Sequence, residues 1–361
     1  MEIALSEKFT YKKLIKFTLP TIVMMIFTSI YGVVDGVFVS NFVGSNAFAS
    51  VNLIMPVTMI LGTIGFMMGT GGSALVSKTI GEGDNEKANR YFSMLIYLLV
   101  IIGTIFTIAG VIFIESVAKL LKADEEMMSD CITYGRTLLL FLVPFCLQNA
   151  FSSFMIVAEK PTFGLVISII SAVTNMFLDF LFMYVFRMGV FGAALATGIS
   201  QVVGVIVPLV YFISGKNKIL KFTKTKIELS PMLQACANGS SEMVTNLSMS
   251  LINILFNAKL MELVGANGVS AYGVIMYIGF LFVGTYVGYS VGSAPVISYH
   301  YGAGNKEELK SLSSKSLKLL GITTLVMTAM LWTRKNMCMF KNLLNKSEER
   351  LWVNMNHYGV I

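Results

Sequence analysis

Only two histidines occur in this chain, His300 and His357, and charged residues make up just 13% of it. Two imidazoles so far apart exclude a histidine-based metal centre and a nucleophile–base dyad. The four cysteines, Cys131, Cys146, Cys236 and Cys338, lack the paired spacing that zinc or a redox dithiol requires, and read as packing residues. No glycine-rich phosphate loop of the GxxxxGK(S/T) type is present, which removes nucleotide hydrolysis as a source of energy. The chain is expected to hold no enzymatic centre and no cofactor, and any work it does must draw on an ion gradient.

What the chain has in excess is hydrocarbon. Hydrophobic residues form 55% of it and the mean hydropathy is +0.74, well outside the range of soluble domains. Apolar runs lie near residues 17–40, 52–77, 91–114, 132–158, 162–186, 189–213, 232–261, 269–298 and 316–332. Each suffices to cross about 30 Å of hydrocarbon as a helix, and lipid offers the backbone no partner outside the helix itself. The expected fold class is therefore an all-α polytopic membrane protein. The first run follows Lys8, Lys12, Lys13 and Lys16 with no small-residue cleavage site, so it reads as a spanning helix.

A net charge of +7 would suit a nucleic-acid partner, but membrane topology accounts for the basic residues better. With the N-terminus in the cytoplasm, the inner side receives the four leading lysines, Lys78, Lys87, Arg90, Lys160, the run from Lys216 to Lys226, and Lys306, Lys310, Lys315 and Lys318. The outer loops receive Lys119, Lys122 and Arg187. The expected setting is a bacterial cell membrane, with lipid around the chain and no nucleic acid or nucleotide as partner.

Residues 41–88 recur without a gap as residues 262–309, about 221 positions later. Val43 matches Val264, Asn46 matches Asn267, Ile54 matches Ile275, Gly71 matches Gly292, Gly81 matches Gly302 and Glu86 matches Glu307. A repeat of this length in apolar sequence indicates a transporter of two homologous helical bundles, here parallel copies because both begin on the same side. The boundaries read as a six-helix N-lobe over 1–213, a cytoplasmic linker over 214–231, a C-lobe over 232–332 with three helices, and an aberrant polar tail over 333–361. On this reading the C-lobe lacks its last three helices.

Two acids interrupt the spans. Asp35 sits in the first and Asp179 in the fifth, where an exposed charge costs on the order of 2.5–3.5 kcal/mol or more. Asn175 lies one turn before Asp179 on the same face. Counted inward from the outer helix ends at 1.5 Å per residue, Asp35, Asp179 and Thr197 reach similar depth. Two carboxylates, a carboxamide and a hydroxyl at one level suit a sodium ion or a shared proton; the alternative is capping by neighbouring hydroxyls for helix registry.

The segment Asn175-x3-Asp179 followed by Gly189-Val190-Phe191-Gly192-Ala193-Ala194-Leu195-Ala196-Thr197-Gly198 resembles the multidrug and toxic compound extrusion family, as do Pro20, Asp35, Val43-Gly44 and the Gly81-Glu82-Gly83-Asp84 loop. The wording is similar to the family's MepA-like multidrug branch. The resemblance spans about residues 10–330 and implies an antiporter of two six-helix lobes, exporting drugs while protons or sodium ions enter. It implies cation-binding roles for Asp35, Asn175, Asp179 and Thr197, with a looser match at Glu242, whose alternative is an interfacial carboxylate paired with linker lysines.

Methionine and aromatic residues are plentiful, at 24 Met, 26 Phe and 14 Tyr. A cleft lined by them and by acids would suit small amphipathic organic cations. Tyr31, Met55, Phe154, Tyr272, Met276 and Tyr277 are the candidate lining residues, although most such side chains in a membrane bundle face lipid or core. Two other readings stand beside export. A lipid-linked oligosaccharide flippase would need a basic cleft, whereas Arg136, Arg187 and Lys259 lie near helix ends. A truncated remnant would insert and move nothing.

Overall fold

The computed structural model describes residues 3–332 apart from 122, 124, 216, 218 and 265, and the tail over 333–361 lies outside the described residues. The described chain is helical: α1 Tyr11–Phe38, α2 Ser45–Gly81, α3 Asn85–Leu120, α4 Glu125–Leu140, α5 Leu142–Val157, α6 Pro161–Asp179, α7 Gly189–Ile213, α8 Leu229–Val264, α9 Ala266–Gly302 and α10 Lys306–Trp332. Two π-helical turns, Val39–Val43 and Phe180–Val185, prolong α1 and α6. Among the described residues five helices are long and apolar enough to cross a membrane, or six if the bent pair α4 and α5 forms one span. The expected spans α8, α9 and α10, of 36, 37 and 27 residues, fall outside that set.

The fourth span departs from expectation. The run 132–158 reads as one helix in the sequence, but the chain bends by 51° between Leu140 and Leu142. Pro144 has no N–H to offer the Leu140 carbonyl, so the helical ladder breaks there. Phe141 closes a tighter turn instead, its N–H donating to Leu138 at 2.9 Å.

At the centre of the first bundle α2 packs against α3, α4 and α5, while α6 packs against α1 and α7. Part of its core is aromatic: the fully buried Phe92 ring meets Phe154, Phe212 and Phe222 at 4.9, 5.0 and 5.0 Å. Phe154 therefore belongs to this core, its 0% exposure placing it away from any substrate cleft. The helix face that carries it turns into the bundle, which composition alone does not reveal. Phe222 comes from the segment between α7 and α8, pinned along α3 by Lys221 N–H to Asn89 Oδ1 (2.7 Å) and Thr223 N–H to Ser93 Oγ (2.9 Å). Phe92→Ala is expected to cost about 3–5 kcal/mol, seen as earlier labelling of buried Cys131 and Cys146 in a thiol-dye melt.

The two bundles touch through their first two helices. The main contacts are α2 with α8, α1 with α9, and α2 with α9. Glycines permit backbone-level approach: a Cβ on Gly71 would lie 2.0 Å from the Ala235 carbonyl oxygen, and one on Gly239 would lie 2.0 Å from that of Met67. The α2–α9 crossing mirrors itself, with Gly81 against the Tyr299 carbonyl and Gly302 against the Lys78 carbonyl. Gly81 with Gly302 and Lys78 with Tyr299 are the same two repeat positions, so the sequence repeat appears in space as a pseudo-twofold contact. These crossings lie toward the end of the molecule that carries Lys78, Lys87, Arg90 and Lys306, called here the basic end.

Candidate functional site

The packing of α1 against α6, and of α6 against α7, gathers the site. Asp35 is 8% exposed, while Asp179 and Asn175 are fully buried. The two aspartate carboxyls come within interaction range of each other. From α7, Thr197 Oγ1 lies 3.4 Å from Asn175 Nδ2. Asp35 is thus brought to Asp179 across the α1–α6 contact, and Thr197 to Asn175 across the α6–α7 contact, the two pairings lying one turn of α6 apart.

Local backbone helps to aim them. Asp179 is the last residue of α6, immediately before the π-turn Phe180–Val185, and Asp35 lies four residues before the π-turn Val39–Val43. Such widened turns recur at functional sites because they turn side chains off the regular helical register. Gly198 sits one residue after Thr197 and lets α7 approach the bent span, since a Cβ there would lie 2.1 Å from the Phe141 ring.

The chemistry of the cluster is lopsided. Asp35 Oδ1, both carboxylate oxygens of Asp179 and Asn175 Oδ1 are buried acceptors without a hydrogen-bond partner among the described groups. Buried acceptors ordinarily find a donor, and leaving one unmet costs about 1–3 kcal/mol. No lysine or arginine pairs with either aspartate among the described ion pairs. Four oxygens from three side chains, with a hydroxyl beside them, form a donor set of the kind that holds a hard monovalent cation or shares a proton.

The polar cluster extends one turn toward the basic end through residues that the sequence reading did not single out. Ser171 Oγ donates to the Ser200 carbonyl at 2.6 Å, and Gln148 Nε2 donates to Ser171 at 3.1 Å. Neutral polar residues are common in membrane helices, and only the i−4 spacing of Ser171 from Asn175 hinted at a shared face.

Glu242 stands apart on α8, half-buried, with Asn246 Nδ2 3.5 Å from its carboxylate. Among the described ion pairs none joins it to a linker lysine. Met55, Tyr272 and Met276 are half-buried, and Tyr272 stacks on Phe256 with centroids 5.2 Å apart. The side chains of Tyr31 and Tyr277 lie outside the described residues.

The MatE family profile matches residues 20–181 and 242–342, more than half of the chain. The chain belongs to the MatE family. Both matched segments begin within the first helix of a bundle, in keeping with the repeat. Among curated proteins, the chain is 24% identical to the multidrug export protein MepA of Staphylococcus haemolyticus over 309 residues, 84% of this chain and 67% of that protein. To MepA of Staphylococcus aureus it is 23% identical over 329 residues, 90% of this chain and 71% of that protein. The fold is that of MATE transporters in solved structures. A MATE in complex with MaL6 superposes with a TM-score of 0.83 at 24% identity, covering 90% of this chain and 72% of the other. A MATE in the straight conformation gives 0.80 at 24% identity, covering 91% and 76%. A MatE chain is thus a multi-pass membrane transporter of the multidrug efflux class.

Proposed function

We propose that this MatE protein is a cation-coupled antiporter that exports small amphipathic organic cations across a bacterial cell membrane, with its N-terminus in the cytoplasm. The observation that carries the coupling is the set of buried acceptor oxygens on Asp35, Asn175 and Asp179, beside Thr197, with no donor to meet them among the described groups. A proton shared between the carboxyls meets one oxygen of each aspartate, whereas a sodium ion held by the four residues would also engage Asn175 Oδ1. Coupling follows if the occupant is held more tightly in one arrangement of the bundles than in the other, since an ion shifts a conformational equilibrium only by its differential affinity. Asp35 is suited to transmit the change because it lies on α1, which packs on α6 within its own bundle and on α9 across the divide.

The multidrug export role of the MepA relatives supports drugs as cargo. Buried aspartates that join none of the described ion pairs, together with the half-buried Met55, Tyr272 and Met276, suit flat cationic molecules. The test is ethidium accumulation in a pump-deficient bacterium. Cells expressing the chain are expected to hold several-fold less dye than vector controls, and a protonophore or sodium withdrawal should erase the difference. Accumulation equal to the vector, with the chain shown in the membrane, would favour the non-transporting reading.

A further inference from the structure

The residues preceding Thr10 have no task in capping α1. Thr10 already caps α1, its hydroxyl accepting from the Lys13 N–H at 3.3 Å. Yet Leu5 and Phe9 are each only 1% exposed. They share one buried cluster with Leu14 and Phe17 of α1, Ile156 of α5, Tyr289, Val291 and Val296 of α9, and Leu312 of α10. The Phe9 ring meets Phe17 edge-on at 5.7 Å and the buried His300 at 6.5 Å. This second core of the molecule thus draws on both bundles and on the segment before the first helix.

The polar contacts show the same division. The Leu5 N–H donates to Glu159 Oε1 at 2.6 Å, and the Phe9 N–H donates to Glu308 Oε1 at 2.9 Å. Glu159 belongs to the first bundle, on the turn between α5 and α6, where its backbone is held at φ +60°. Glu308 belongs to the second, in the first turn of α10, and is itself positioned by its N–H donating to Asn305 Oδ1 at 3.1 Å. Lys315 of α10 donates to the Phe9 carbonyl. Between the two carboxylate grips, Lys13 donates to Glu7 and holds its carboxyl below the usual range, tying the segment back to α1. Hydrogen bonds to carboxylates are stronger than neutral ones, and the two donated by Leu5 and Phe9 join the segment to different bundles.

We propose that residues 3–10 form a latch that clasps the two bundles together at the basic end, where α2 and α9 meet at Gly81 and Gly302. The proposal rests on the transport reading, in which this end must open during the cycle. The latch favours the arrangement closed at the basic end, and release of Phe9 and of its grip on Glu308 accompanies opening.

The test labels exposed positions on either bundle, Glu86→Cys and Lys310→Cys, in a background with the native cysteines replaced by alanine. Double electron–electron resonance in lipid nanodiscs then reads their separation. Phe9→Ala and Glu308→Ala are expected to raise the separated population about tenfold, whereas Glu308→Gln, which keeps an acceptor oxygen for the Phe9 N–H, should retain the parent distribution. Distributions unchanged by Phe9→Ala and Glu308→Ala would overturn the latch, as would Glu308→Gln opening as far as Glu308→Ala. If Glu308→Ala fails to fold by size exclusion, Glu159→Ala against Glu159→Gln poses the same question at the other grip. The distances are read without gradient or drug. Opening at the basic end in a protein that exports no ethidium would therefore leave the latch standing and count against the transport reading.

Discussion

Asp35→Asn and Asp179→Asn should each bring ethidium efflux down to the level of empty-vector cells, a loss of at least about tenfold, or 1.4 kcal/mol in the rate-limiting step. Asparagine keeps the size and one acceptor oxygen of aspartate but removes the charge and the titrating proton. Function and fold are therefore separable at this site. The new carboxamide brings a donor to a cluster of buried oxygens that has too few, so the variants should melt at the parent temperature or slightly above it. Export lost while stability is kept or gained is the signature of a coupling site. Efflux within twofold of the parent in both variants would remove the aspartates from the mechanism, and export lost together with a large drop in melting temperature would make them structural.

The second large effect concerns the contact between bundles. Gly239→Val and Gly302→Val place a side chain where a Cβ alone would stand 2.0 Å from the backbone oxygens of Met67 and Lys78. A backbone carbonyl inside a helix cannot swing aside as a flexible side chain can. Each substitution should therefore cost at least the 1–3 kcal/mol or so typical of overpacking, and should loosen α8 or α9 from α2. A thiol-dye melt against Cys131 and Cys146 measures the loss. Gly321→Ala supplies the control: nothing lies within 4 Å of its Cβ position, so it should be neutral or gain about 0.5–1 kcal/mol from helix propensity. Melting temperatures for Gly239→Val and Gly302→Val equal to that of Gly321→Ala would mean that α2 does not meet α8 and α9 at backbone level.

How much of this was legible beforehand depends on how far each residue stands out from its surroundings. Asp35 and Asp179 were plain, because a charge in an apolar run has a cost that demands a reason. Asn175 was singled out by its place one turn before Asp179 on the same face, and Thr197 by counting depth into the returning helix. Ser171, Ser200 and Gln148 were not legible, since hydroxyls and amides at these positions are as readily satisfied by their own helix. Phe154 was misplaced for a related reason: an aromatic side chain fits core, cleft and lipid alike, and only its contact with Phe92 separates them. The bend at Phe141 was encoded in Pro144, but a proline within an apolar run of spanning length does not say whether the helix kinks or breaks.

The repeat carried more than its modest identity implies. It gave the two-bundle plan. Of its matched glycines, Gly71, Gly81 and Gly302 stand at backbone-level crossings of α2 with α8 and α9, while Gly292 faces Thr18 and Thr21 of α1 at 3.2–3.3 Å. The segment before α1 was the larger omission. Its one lysine, Lys8, served the topology argument, and that left Leu5 and Phe9 without a role. Their burial depends on partners more than 140 positions away, at Ile156, Tyr289, Val296 and Leu312, which no local pattern encodes.

The most direct test of the central claim is movement of ethidium in proteoliposomes holding the purified chain, with a proton or sodium gradient imposed in turn and the Asp35→Asn, Asp179→Asn double variant as control. Dye movement that follows one imposed gradient, reverses when the gradient is reversed and vanishes in the double variant is the predicted result. Movement indifferent to both gradients, or equal in the parent and the double variant, would contradict coupling through the buried carboxylate pair.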